Sequence, residues 1–157
     1  FRRVLFRSII TYPNPILRKK NELVTDPTSP EIKQLVSNML ETLRSQDGLG
    51  LAAPQIGKNL CLCIVEVDNE VFVLINPEIK KLYGDFVTME EGCFSFPGKF
   101  LPITRPRNIK LMAIDEAGRK YTMHAKGLLA RAIQHEIDHL NGILLVDRVG
   151  QQPTIIK

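Results

Sequence analysis

Two stretches of the chain carry apolar residues at helical spacing, and between them the pattern shifts to short runs bounded by turn residues. In the first stretch, Ile32, Leu35, Val36, Met39, Leu40 and Leu43 fall on one helical face. Ser29 is placed to cap this helix, Pro30 suits its first position, and Glu31 sits where the helix dipole favours an acid. Asp47-Gly48 marks its end, and the helix is expected to pack a core without carrying chemistry. The second helix is expected from about Leu128 to Asn141, stopped by Asn141-Gly142. Leu128, Leu129, Ala132, Ile133, Ile137 and Leu140 make it apolar around much of its circumference, the pattern of a helix buried at the centre of a small domain.

The intervening segments read as strands and turns. Residues 60–67 (LCLCIVEV) and 70–77 (EVFVLINP) flank Asp68-Asn69, and residues 109–115 and 119–125 flank Glu116-Ala117-Gly118, two expected hairpins. A further strand is expected around Phe86–Glu90. Residues 48–57 (GLGLAAPQIG) have no regular period and read as a glycine-rich loop, and the prolines of residues 9–18 predict an extended opening segment. Together these elements predict an α+β fold, with small antiparallel β-sheets packed around a central C-terminal helix and one N-terminal helix.

Composition narrows the class. At 157 residues, 44% hydrophobic and 24% charged, the chain suits one globular domain. Its apolar runs are broken by charges before a bilayer could be spanned, so no membrane segment is expected. The first eight residues (FRRVLFRS) match the translation of a common sequencing-library adapter and are expected to be non-native, leaving one domain over 9–148 and a short tail over 149–157. Arg2, Arg3 and Arg7 account for most of the +4 net charge, since without them 18 basic residues face 17 acids. The pI near 9.1 therefore does not argue for nucleic-acid binding. Three cysteines do not form a disulfide framework, and the expected compartment is reducing, the cytoplasm or an organelle matrix. Cys61 and Cys63 are expected to be buried small hydrophobes.

The second helix carries the chemistry. In His135-Glu136-Ile137-Asp138-His139 the two histidines are one turn apart on the same face and can reach one metal ion, with Glu136 beside them to act on water. Imidazoles and carboxylates on so apolar a helix cost several kcal/mol unless paired or metal-bound. A catalytic centre of this kind needs a third protein ligand and one open position. Downstream of His139 only Asp147 offers a carboxylate, and Leu145 stands where an extended protease motif has its third histidine. Upstream, Cys93 is the leading candidate, as a thiolate, and His124 is the rival, in a run that otherwise reads as ordinary strand.

Three segments in this order, GLGLAAPQIG (48–57), EGCFS (91–95) and QHEIDH (134–139), resemble the three signature motifs of the peptide deformylase family. The likeness extends over the YPNPILR opening and the closing HLNGILLVDR. It implies Cys93, His135 and His139 as metal ligands, Glu136 as general acid/base, and Gln55 with the backbone N–H of Phe94 as oxyanion donors. Substrate would meet Gly50 and Gly92, with Leu49, Leu128 and Ala132 forming the pocket for a methionine side chain. The chain departs from the family in having Phe94 where Leu is common, Phe100 where many bacterial members have Arg, and Arg131 where some have an apolar residue.

The implied reaction is removal of the formyl group from formyl-methionyl nascent peptides, with release of formate. The implied cofactor is one divalent metal, Fe2+ in vivo, replaceable by Zn2+, Ni2+ or Co2+. A transient ribosome contact is compatible with this role, though no basic C-terminal helix follows Arg148; neither membrane nor specific nucleic-acid binding is expected. A zinc peptidase of other specificity and a non-enzymatic metal-binding module are the alternative classes.

Overall fold

The computed structural model describes residues 8–151. All but Ser8 of the segment expected to be non-native, and most of the expected tail, lie outside the described residues. The α+β class holds. Helix α1 (Pro30–Arg44) begins at Ser29, whose side chain accepts from the Ile32 N–H, and its last turn closes on Ser45. Strands β1 (Gly50–Ala52), β2 (Leu62–Val67), β3 (Glu70–Cys93), β4 (Phe96–Ile114) and β5 (Lys120–Lys126) form one antiparallel sheet in chain order, in place of separate small sheets. Helix α2 (Gly127–Leu140) follows directly, and the short helix α3 (Leu145–Arg148) closes the described chain.

Strand β2 explains how two helices share one sheet. Cys63 and Val65 face a core with Ile133, Ile137 and Leu140 of α2, while Leu62 and Ile64 face Leu35, Met39 and Leu43 of α1. A strand buried on both faces reads as a continuous apolar run, which is what residues 60–65 are. The Asp68-Asn69 hairpin is present with both residues at positive φ, 52° and 63°, the backbone a tight two-residue turn needs.

Two expectations are corrected. Residues 48–57 are not a loop throughout: β1 pairs with β2 through Gly50–Val65 and Ala52–Cys63, and Ala53–Ile56 makes one tight helical turn. Three residues are too few to show a period. The strand expected near Phe86–Glu90 is the far end of a 24-residue strand that runs to Cys93, so Cys93 ends a strand instead of lying in a turn segment. Register shifts against β4 fall at Ile75/Glu78 and Tyr83/Phe86, where Asn76-Pro77 and Gly84 stand in the strand. The facing half of β4 was hidden by Pro102 and Pro106, which pair with Glu90 and Phe86.

Candidate metal centre

The β3–β4 hairpin brings the third ligand to the helix. Cys93 pairs with Phe96 across a two-residue turn, and this end of the hairpin lies against α2. The Cys93 Sγ is 3.3 Å from His139 Nε2, and one ligand atom from each of Cys93, His135 and His139 lies within 4.8 Å of the others. The two imidazoles meet edge to face with centroids 5.2 Å apart. His124, the rival, is exposed on β5 and bonds the Tyr83 hydroxyl instead. Cys63 is fully buried in the core.

Local bonds set the direction of His135. Nδ1 of His135 donates to Glu91 Oε1 at 2.9 Å, which leaves Nε2 with its lone pair directed inward. Glu91 in turn receives both prongs of the Arg105 guanidinium, at 2.6 and 2.9 Å, and Arg131 Nη1 at 2.5 Å. Burial would push the Glu91 carboxyl up, but the hydrogen bonds from His135 and Arg105 and their charge hold it well below the usual carboxylate range. Burial, reinforced by the charges of His135 and Arg105, keeps His139 well below its ordinary value and so neutral. For His135, burial is outweighed by the Cys93 sulfur and Glu91, which raise it well above its ordinary value.

Glu136 is the neighbour with spare capacity. Its Oε1 is 3.7 Å from His135 Nε2, while Oε2 is buried with no protein partner. Burial pushes its carboxyl up to about 7, the range in which a group both takes and gives protons at neutral pH. This donor set fits a divalent cation: one soft sulfur, two imidazoles, an outer carboxylate on the imidazole N–H, and an unpartnered carboxylate oxygen beside them. Gln55, 1% exposed, points its Nε2 toward Cys93 Sγ at 3.6 Å.

These groups open on a cleft of about 700 Å³. Leu49, Gly50, Gly92, Leu128 and Ala132 all line it, as do Cys93, Gln55, His135 and Glu136. All three departures from the resemblance line it: the Phe94 ring covers Gly48, the exposed Phe100 ring covers Gly92, and Arg131 bonds Glu91. Sequence reasoning missed Glu91, Arg105, Asp138 and Ser95. The signal available was Asp138, an acid on the most apolar helix, which requires a buried cation; Arg105 supplies it at 2.9 Å.

The polypeptide deformylase family model matches residues 6–154 of the chain. A peptide deformylase from Prochlorococcus marinus is 43% identical over 97% of this chain and 78% of its own length. Among solved structures, the Thermotoga maritima peptide deformylase superposes with a TM-score of 0.88 at 38% identity, covering 91% of this chain and 97% of that one. The Synechococcus elongatus enzyme, crystallised with actinonin, gives 0.90 at 40% identity over 97% of this chain and 82% of that one.

Proposed function

The chain belongs to the peptide deformylase family and removes the formyl group from nascent peptides, and on that premise we propose how its residues divide the work. The observation that carries the assignment is one sulfur and two imidazole nitrogens within 4.8 Å, beside a carboxylate oxygen with no protein partner. Cys93, His135 and His139 hold a divalent cation, which when bound acidifies water and polarises the formyl carbonyl. Our reading of its identity is Fe2+ in vivo, with Zn2+, Ni2+ or Co2+ able to replace it.

Glu136 Oε2 takes the proton from the attacking water. Attack on the formyl carbon places negative charge on the formyl oxygen, toward which the Gln55 Nε2 and Phe94 N–H donate. Glu136 then returns its proton to the departing amine as the C–N bond breaks, giving formate and a free N-terminus. Leu49, Leu128 and Ala132 receive the methionine side chain, and Gly50 and Gly92 let the peptide backbone approach the walls. A cramped site beside the metal ligands admits a formyl hydrogen and excludes an acetyl methyl. The working unit is 9–148. We place the reaction in the cytoplasm or an organelle matrix, and among the described residues no helix is long and apolar enough to cross a membrane.

Formate release from formyl-Met-Ala-Ser, with acetyl-Met-Ala-Ser as control, is the direct assay. Glu136→Ala is expected to keep its metal while losing ~10²–10⁴-fold in turnover, the usual contribution of a general acid/base. Normal turnover in that variant removes Glu136 from the mechanism.

A further inference from the structure

The Gln55 amide can satisfy its neighbours in only one orientation. Oε1 accepts from the Ala52 N–H at 2.9 Å, so Nε2 must point the other way. Nε2 donates to Ser95 Oγ at 3.1 Å and stands 3.6 Å from Cys93 Sγ on the cleft side. The Ser95 hydroxyl has one proton, donated to the Ile10 carbonyl at 2.8 Å, so toward Gln55 it can only accept. Donation therefore runs in one sense, from Gln55 through Ser95 to Ile10, and leaves the second amide hydrogen directed at Cys93 Sγ, on the cleft side. Both Gln55 and Ser95 are 1% exposed, so bulk water does not compete for these bonds.

The segment holding the last acceptor is bound to both sides of the site. The Ile10 N–H donates to the Gln55 carbonyl at 2.7 Å and the Tyr12 N–H to the Ser95 carbonyl at 2.9 Å. The Tyr12 ring stacks on Phe96 at 5.1 Å. Residues 10–12 thus join the helical turn carrying Gln55 to the hairpin carrying Cys93, Phe94 and Ser95.

We propose that Ser95, anchored by the Ile10–Tyr12 strap, is a positioning residue that fixes the Gln55 amide in its donating orientation. The proposal rests on the reading of Gln55 as an oxyanion donor. Such donors work because they do not reorganise as charge develops. Without the Ser95 hydroxyl, one Gln55 N–H and the Ile10 carbonyl lose their partners, and the Ala52 N–H alone is left to hold the productive rotamer. The cost should fall on kcat and leave methionine binding alone.

The test is a double-mutant cycle on the metal-loaded enzyme, with kcat and KM for formyl-Met-Ala-Ser, metal content and thermal melting recorded for each variant. Ser95→Ala is expected to lower kcat ~10-fold with KM nearly unchanged, as for loss of an outer partner that orients an active-site group. Gln55→Leu should cost ~10²–10³-fold, and adding Ser95→Ala to it should cost nothing more, because Ser95 acts only through Gln55. If the Ala variant does not fold, Ser95→Cys, with a weaker donor in a similar volume, is read by the same cycle. Wild-type turnover in the Ser95 variant, or full additivity in the double variant, overturns the proposal. Wild-type turnover in Gln55→Leu overturns instead the oxyanion role on which it is built.

Discussion

Gly50 shows how a single missing side chain constrains the chemistry. A Cβ there would lie 2.8 Å from Glu136 Cγ and 3.0 Å from the Ile64 carbonyl oxygen. The carbonyl belongs to β2, a buried strand paired on both sides, and cannot give way, so the Glu136 side chain must move. Gly50→Ala is therefore expected to retain the fold and metal while losing ~10²-fold in kcat, the scale of loss that follows a misplacement of about 1 Å. Steady-state kinetics with metal analysis checks this, and an alanine variant with full turnover would show that Glu136 tolerates displacement. Sequence reading marked Gly50 as a place where substrate backbone comes close; the structure adds that its near neighbour is Glu136, the proposed acid/base.

At the scale of elements, α2 does two jobs with two faces. Ile133, fully buried, belongs to the core against β2, β4 and β5, while His135 lines the cleft and His139, buried, meets Cys93. Its C-terminal carbonyls are met by Asn21, whose Nδ2 lies 3.1 Å from the Leu140 oxygen and 3.3 Å from that of His139. Just beyond it, Gly142 has φ 72° and its missing Cβ leaves room for the Arg18 carbonyl, which that atom would approach to 2.4 Å. Ile133→Ala is expected to destabilise the protein by about 2–5 kcal/mol through the cavity it leaves. Urea unfolding should register this as a lower midpoint at an unchanged slope. An unchanged midpoint would mean that α2 is not held by its apolar face.

Over the whole molecule, a buried chain of charges ties the sheet to the helices and ends on the metal site. Arg105 of β4 forks onto Glu91 of β3 and reaches Asp138 of α2, which also accepts from Arg148 of α3 at 2.7 Å. Arg131 of α2 bonds Glu91 and the carbonyls of Ile103 and Val87, closing the network on the opposite side. Glu91 passes its constraint to His135. Arg105→Met leaves two buried carboxylates short of a cation, and a loss of about 3–5 kcal/mol is expected. Looser orientation of His135 should also weaken metal affinity ~10–100-fold, measured by chelator competition. Unchanged affinity in a destabilised variant would confine the network to a structural role.

What was legible without a structure was whatever depends on neighbours close in the chain. The two long helices, their stops, the Asp68-Asn69 hairpin and the paired histidines are set by capping, period and i,i+4 geometry, all of which act within a few residues. The three separated motifs also named Cys93, His135 and His139, which the fold brings within 4.8 Å of one another, because their chemistry is carried by residue type and order. The register of β3 against β4 was not legible, since the bulges at Asn76-Pro77 and Gly84 look locally like chain reversals. Nor were the partners of His135 and Gln55: Glu91, Arg105 and Ser95 are tens of residues away, and only the folded sheet brings them within hydrogen-bond reach. Residue types thus named the reaction, while tertiary packing decided which way each reacting group points, because direction comes from bonds between distant segments.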